Sequence, residues 1–217
     1  MVVTFQLRQI ELQPGQNLIL HDITWNQFEA ILEELGEHRG SRVTYYQGVL
    51  EIRMPLPEHE VNKELIGEMV KLLLDELELR WRSYGSTTFK RREMLAGIEP
   101  DTCFYIKNVD SMIGKKRIDL TFDPPPDLAI EIDLTSKTQT STYIALGVPE
   151  LWCYDNSELR IFVLSNGEYV QVENSPTFAN IPIIEGILQF LKLSETEDSS
   201  VVRKQCREWV RSQLLNQ

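Results

Sequence analysis

The sequence has few cysteines, and their spacing indicates neither disulfide pairs nor a metal-binding motif. Cys103, Cys153 and Cys206 are odd in number and far apart, and no CxxC pair occurs. This excludes the disulfide framework of a small secreted domain and gives no indication of a cysteine-based zinc site. The N-terminus also lacks a basic start followed by an apolar core, which predicts no secretory signal. We therefore expect a cytoplasmic protein with reduced thiols.

Long apolar runs and several common enzyme motifs are absent as well. No apolar run approaches the roughly 20 residues that a membrane span needs, so no membrane association is expected. The patterns GxxxxGK[ST], GxGxxG and GxSxG do not occur, which leaves NTPase, dinucleotide and serine-hydrolase chemistry without support. The segment "HEVNK" is not a zinc-protease HExxH, because Lys63 replaces the second histidine.

Positive charge is scarce in the whole chain but concentrated in one segment. The net charge is −11, yet positions 80–117 contain nine basic and only four acidic residues. Phosphate binding depends on Lys and Arg, so this segment is the candidate contact with nucleic acid. The alternative is a set of solvated strand ends and loops.

The pattern of apolar residues predicts a mixed α+β (α/β) protein with a sheet flanked by helices. The 217 residues are expected to form a single domain, 1–217, with a core at about 20–190 and a C-terminal helix at about 199–215. Helical periodicity occurs in "TWNQFEAILEELG", "PEHEVNKELIGEMVKLLLDELELRW", "TSKTQTSTYIALG" and "VVRKQCREWVRSQLL". Strand patterns occur in the hairpin "RVTYYQGVLEIRM", near 86–92 and 101–107, in "DLAIEIDL", and in the meander "PELWCYD", "ELRIFVLSNG" and "EYVQVE".

Acidic residues occur on or beside two of these strands, in "EPDTCFYI" (99–106) and "PPPDLAIEID" (124–133). Alternation along the second strand puts Glu131 and Asp133 on one face, with the apolar residues on the other. If the strands are neighbours, Asp101 and Glu131 lie within a few ångströms of each other. Two buried carboxylates are costly unless a cation accompanies them, and Mg²⁺ is bound by such sparse carboxylate sets. Alternatively, the acids cap a strand or pair with Arg91 or Arg92.

The order of these motifs resembles the Uma-type endonucleases, a bacterial branch of the PD-(D/E)XK, restriction endonuclease-like superfamily. The resemblance covers about residues 20 to 190, and "PPDLAIEI" and "GVPELW" are its most specific parts. It implies a restriction endonuclease-like fold and a phosphodiesterase site that uses Mg²⁺ or Mn²⁺, with DNA as the expected substrate. Asp101 and Glu131 take the places of the two acids that hold the metal.

One position departs from the superfamily pattern. The residue two beyond Glu131 is expected to be lysine, and here it is Asp133. A carboxylate cannot stabilise the attacking hydroxide or the phosphate, so either another lysine reaches the site or the site is crippled. Lys137, at the start of the next helix, is the first candidate, and Lys90 is the second. Asp133 would then bind a second metal or cap that helix.

His59, in "PEHE", resembles a position where the family carries a histidine. It is a candidate for contacting phosphate or assisting proton transfer, and a helix-start histidine bound to the backbone is the alternative. A homodimer is a further expectation, since cutting both strands of a duplex suits two sites related by a twofold axis. The C-terminal helix could supply that contact or pack on its own domain.

The hypothesis from the sequence is therefore a metal-dependent endonuclease acting on DNA. The alternative is a nuclease-fold protein that lost catalysis and serves as a nucleic-acid-binding or assembly module. Asp133 and the acidic remainder of the chain favour the alternative.

Overall fold

The computed structural model describes residues 7–36, 40–133, 136–155 and 157–215. The strands are β1 Asn17–Leu20, β2 Arg42–Tyr46, β3 Val49–Arg53, β4 Arg82–Ser83, β5 Phe89–Arg91, β6 Ala96–Ile98, β7 Thr102–Tyr105, β8 Leu128–Ile132, β9 Glu150–Asp155, β10 Glu158–Ser165 and β11 Glu168–Val172. The helices are α1 Trp25–Leu35, α2 Pro57–Glu76, α3 Val109–Met112, α4 Lys137–Leu146, α5 Ile183–Leu193 and α6 Ser199–Leu215. Within the described ranges, no helix is both long and apolar enough to cross a membrane.

The strands form two sheets, so the mixed α+β class predicted from the sequence is confirmed. The first sheet has the strand order β1-β3-β2-β6-β5 and the second has the order β11-β10-β9-β8-β7-β4. All neighbouring pairs that the structure describes are antiparallel except β8 and β9, which are parallel. The connection between these two parallel strands contains α4, as a parallel crossover requires.

Local sequence signals explain where the first elements begin and turn. Helix α1 starts with a capping box, in which Gln27 N–H donates to Thr24 Oγ1 (3.3 Å) and Thr24 N–H donates to Gln27 Oε1 (2.8 Å). The β2–β3 hairpin turns at Gln47 and Gly48, which both have positive φ, as a two-residue hairpin turn requires. Both features agree with the sequence prediction.

Helices cover both faces of the second sheet and the outer face of the first. One core lies between the second sheet and α2, α5 and α6, and a separate core lies between the first sheet and α1. A third core joins α4 to strands of both sheets. The chain passes from the first sheet to the second between β6 and β7, which places the segment 99–101 at the junction of the two sheets.

Strand β8 is the central, doubly covered strand that its apolar run predicted. All five of its residues are buried. Leu128, Ile130 and Ile132 face the core of α2, α5 and α6, whereas Ala129 faces the core of α4. Glu131 follows Ala129 by two positions and therefore points to the α4 side. Leu134, the last residue of the predicted strand, lies outside the described residues.

The C-terminal helix α6 packs on its own chain. Val202, Cys206 and Val210 are buried against α2 and α5. Arg211 of α6 also makes a two-pronged ion pair with Glu76 at the end of α2, with distances of 2.7 and 3.1 Å. This is the second of the two alternatives for the helix, and the homodimer stays a prediction.

Candidate active site

Asp101 lies where the chain crosses between the sheets. Its side chain is 4% exposed, and its Oδ2 accepts a hydrogen bond of 2.8 Å from the backbone N–H of Ile132 at the end of β8. Glu99, just before it, holds the crossing in place by accepting from the backbone N–H of Val43 on β2 (3.1 Å). The "EPD" segment is therefore a buried junction, and its acids point into the protein.

Glu131 approaches Asp101 from the neighbouring strand. Strands β7 and β8 pair with Thr102 opposite Ile130, so the residues just beyond this pair, Asp101 and Glu131, are brought side by side. Glu131 is completely buried, and its carboxylate and that of Asp101 both lie within 3.5 Å of one arginine nitrogen. The convergence expected from the sequence is present in the structure.

A third side chain, Arg53 from the end of β3, lies between the two acids. Its Nη2 is 3.5 Å from both carboxylate oxygens of Asp101 and 3.3 Å from Glu131 Oε2. Its Nη1 donates to the backbone carbonyl of Ile132 (2.9 Å). A guanidinium thus provides the positive charge that two buried carboxylates need.

Arg42 adds a second positive charge at the edge of this cluster. It lies directly opposite Arg53 in the β2–β3 register, an arrangement of like charges that is unfavourable in isolation. Carboxylates compensate for it, because Arg42 Nε is 3.8 Å from Asp101 Oδ1 and Arg42 Nη2 is 3.2 Å from Glu60 Oε1 on α2. The arginines and acids therefore require each other.

Helix α4 contributes a neutral hydrogen bond to the cluster. The hydroxyl of Tyr143 donates to Glu131 Oε1. Both side chains are almost fully buried, so this donor fixes the direction of the carboxylate. The hydrogen bond from Ile132 N–H fixes Asp101 in the same way. Both acids are thus oriented before any ligand arrives.

Burial and mutual repulsion raise the pKa of Glu131 well above its ordinary value. Desolvation is the largest cause and the charge of Asp101 the second, while Arg53 and Tyr143 act in the opposite direction. Burial alone would lower the pKa of Arg53, but the charges of Glu131 and Asp101 outweigh it and raise the pKa. Arg53 and Tyr143 therefore offset only part of the cost of burying the charge of Glu131.

The donor chemistry of this cluster fits a small, hard divalent cation. Carboxylate oxygens of Asp101 and Glu131 and the carbonyl of Ile132 all contact one cationic group. Mg²⁺ uses one or two carboxylates and completes its shell with water and substrate phosphate. Across the part of the chain that the structure describes, no group of three or more His, Cys, Asp and Glu side chains is arranged to hold a metal. Such an ion would therefore depend on these two acids.

Asp133 does not continue the strand, contrary to the alternation argument. Strand β8 ends at Ile132, and Asp133 has a φ of 56°, so it leaves the strand direction. Its carboxylate contacts His59 Nε2 at the start of α2. Burial and the nearby Asp155 raise the pKa of Asp133, whereas His59 lowers it. The structure therefore brings His59 and Asp133 together. Although Asp133 is only two residues from Glu131 in sequence, its contact is with His59.

The structure describes the side chain of only one of the two lysine candidates, so the role of Lys137 stays a prediction. Lys137 is the first residue of α4, and its side chain lies outside the described residues. Lys90 pairs with Glu29 of α1, with its Nζ 2.5 Å from Glu29 Oε1. The alternative pairing of the acids with Arg91 or Arg92 is wrong, because Arg91 donates to the carbonyl of Leu120 and Arg92 to the side chain of Asn26.

Sequence reasoning missed Arg53, Arg42 and Tyr143, and it assigned Glu51 to a packing or surface role. Glu51 is 3% exposed and accepts a hydrogen bond of 2.7 Å from the hydroxyl of Ser136, which caps α4. A signal was present for two of these residues. Glu51 and Arg53 are charged residues two apart in the strand "VLEIR", the same anomaly that drew attention to Glu131.

A family profile matches residues 25–193, which is most of the chain and includes Arg53, Asp101 and Glu131. The profile is that of Uma2, described as "Putative restriction endonuclease". The chain belongs to the Uma2 family. This confirms the resemblance found in the sequence, and with it the restriction endonuclease-like class of the fold and the nuclease character of the family.

One solved structure is similar to this Uma2 chain over most of its length. It comes from Anabaena variabilis and is described as "a putative nuclease". The two chains are 19% identical, the match covers 87% of this chain and 99% of that one, and the TM-score is 0.47. A comparison with curated proteins found no match.

Proposed function

We propose that the chain is a nuclease that hydrolyses phosphodiester bonds in DNA and uses a divalent cation, Mg²⁺ or Mn²⁺, held by Asp101 and Glu131. The observation that carries the proposal is the convergence of these two buried carboxylates at the junction of the two sheets. Membership of the Uma2 family supports the nuclease part of the proposal. The metal and the DNA substrate are our own extension.

In this proposal, different residues of the cluster bind the metal, orient the carboxylates and contact phosphate. Asp101 and Glu131 would bind the cation, which supplies a Lewis acid that neutralises phosphate charge and lowers the pKa of water. Ile132 N–H and the Tyr143 hydroxyl orient the two carboxylates. The guanidinium groups of Arg42 and Arg53 provide donors whose geometry matches phosphate oxygens.

The catalytic part is tested with supercoiled plasmid and Mg²⁺ or Mn²⁺. We expect the wild type to nick or linearise the plasmid and Asp101→Asn and Glu131→Gln to lose at least about 100-fold in rate, since outer-shell partners of a metal ligand alone are worth about 10- to 100-fold. Glu150→Gln is the matched control, because Glu150 is equally buried at the opposite end of the parallel pair β8–β9. Equal cutting by all four proteins, or by none under any condition, contradicts the proposal.

Contact with DNA is proposed through the basic segment as well as the site. Lys107, Lys116 and Arg117 are exposed on the connection between β7 and β8, whereas other cations of the segment pair internally, such as Arg80 with Asp110 at 2.6 Å. Replacing Lys116 and Arg117 by Gln is expected to weaken duplex binding. The number of counterions released on binding, read from the slope of log K against log salt concentration, should fall by about two. If the dependence of the binding constant on salt concentration is unchanged, Lys116 and Arg117 do not contact the DNA.

The second candidate function is a nucleic-acid-binding module without cleavage. Asp133, at the position expected to be lysine, contacts His59, and the positive group seen against the two acids among the described side chains is Arg53. Calorimetric titration with Mn²⁺ separates the two functions. Asp101-dependent Mn²⁺ binding without cleavage of DNA or RNA would favour the module.

A further inference from the structure

Arg53 contacts every oxygen group that the site offers to a metal. Its Nη2 lies between the carboxylates of Asp101 and Glu131, and its Nη1 donates to the carbonyl of Ile132. The side chain is only 7% exposed. A cation and this guanidinium would therefore compete for the same oxygens.

The contacts of Arg53 with the acids are long for a buried ion pair. Nitrogen–oxygen distances in charge-assisted hydrogen bonds are about 2.7–2.9 Å, but a single Nη2 is shared among three carboxylate oxygens at 3.3–3.5 Å. The Nε of Arg53 is buried and has no hydrogen-bond partner among the described residues. The close contact of the guanidinium is therefore with the carbonyl of Ile132 (2.9 Å), whereas it balances the charge of the two acids at longer distances.

We propose that Arg53 is a resident cation that takes the place of the divalent metal, so that a metal must displace its guanidinium and Arg53 sets the metal affinity of the site. The inference rests on the proposed function, because it concerns the same two acids. Displacement leaves the guanidinium near the entering phosphate, for which it is a matched donor. Metal and phosphodiester thus bind more strongly together than separately. The metal pairs with the two acids, and the phosphate pairs with the displaced guanidinium.

The test is calorimetric titration of the purified, metal-free protein with MnCl₂ in the absence of nucleic acid. Arg53→Gln is expected to bind Mn²⁺ at least about tenfold more tightly than the wild type, since one positive charge near 4 Å is removed from the site. Arg42→Gln removes the same charge, with Nε 3.8 Å from Asp101 Oδ1, but leaves the contacts of Arg53 with the oxygens in place, so a smaller gain than for Arg53→Gln is expected. Arg53→Gln combined with Glu131→Gln should lose the added affinity.

Unchanged or weaker Mn²⁺ binding by folded Arg53→Gln would overturn the inference. If the variant is unfolded in metal-free buffer, because two buried carboxylates have lost their cation, thermal denaturation with added Mn²⁺ replaces calorimetry. The inference then requires Mn²⁺ to restore the folded state and to raise the Tm more than it does for the wild type. Failure of any Mn²⁺ concentration to restore folding would also overturn it.

These results are independent of cleavage. Tighter Mn²⁺ binding by Arg53→Gln together with a complete lack of nuclease activity would support the resident cation and refute the proposed function. Cleavage by the wild type together with unchanged Mn²⁺ affinity of Arg53→Gln would do the reverse.

Discussion

Arg53 Nη2 lies 3.3 Å from Glu131 Oε2, although the two residues are 78 positions apart in the chain. The contact joins the last residue of a hairpin in one sheet to the central strand of the other. Burying Glu131 costs several kcal/mol if it is charged and unpaired, and Arg53 offsets much of that cost. The stability of the sheet junction and the chemistry of the candidate site therefore depend on the same group of charges.

Removal of the hydroxyl of Tyr143 should affect both stability and activity. Tyr143→Phe leaves Glu131 Oε1 without its donor, and we expect a loss of about 2 kcal/mol in the free energy of unfolding, as for a hydrogen bond to a charged group. Cleavage should fall by about 10- to 100-fold, as for other groups that orient a metal ligand. Urea denaturation and the plasmid assay measure the two effects.

Tyr169→Phe is the control for this change. Its hydroxyl donates to the backbone carbonyl of Val148 (2.7 Å), away from the acids. We expect a loss of about 1 kcal/mol in stability and no effect on cleavage. Equal effects of both substitutions on cleavage would show that the Tyr143 hydroxyl has no special relation to Glu131.

The contact between His59 and Asp133 should couple α2 to the end of β8. His59→Gln and Asp133→Asn are each expected to destabilise the protein, and the double variant should lose less than the sum, with a coupling free energy of about 1 kcal/mol. Denaturant unfolding of the four proteins measures the cycle. Strict additivity would mean that the pair contributes nothing to stability.

The ion pair of Glu76 with Arg211 should make the free energy of unfolding depend on pH in the acidic range. The hydrogen bond from Arg211 lowers the pKa of Glu76, so its contribution is present above the pKa of the unfolded chain and is lost as the pH falls through the lower folded value. Because the pair lies at the surface, Glu76→Gln should cost about 1 kcal/mol or less near neutral pH. Near pH 3 the cost should shrink.

Two helix glycines should respond in opposite directions to alanine. A Cβ on Gly186 of α5 would lie 2.3 Å from the ring of Trp209 on α6, whereas a Cβ on Gly67 of α2 would meet nothing closer than Thr102 Cγ2 at 3.9 Å. Gly186→Ala should therefore cost about 1–3 kcal/mol through displacement of α6. Gly67→Ala should gain up to about 1 kcal/mol, because alanine favours the helix. A stable Gly186→Ala protein would show that α6 shifts without cost.

Local signals were sufficient for most of the elements. The capping box at Thr24, the turn at Gln47 and Gly48 and the apolar run of β8 depend on neighbours in sequence, and each is found where the pattern places it. The short strands β1, β4 and β6 were not predicted, because strands of two to four residues carry almost no periodicity and form through their partners.

The sequence alone determined that two acids accompany apolar strands, because Glu131 alternates with apolar residues and Pro100 introduces Asp101 at the start of an earlier strand. It left open whether the two strands are neighbours. Only the tertiary structure decided which cation they meet. That choice depends on how two sheets pack, and a buried carboxylate pairs with whichever positive group the packing brings within reach. Here the packing brings Arg53 from a distant hairpin and turns Asp133 toward His59.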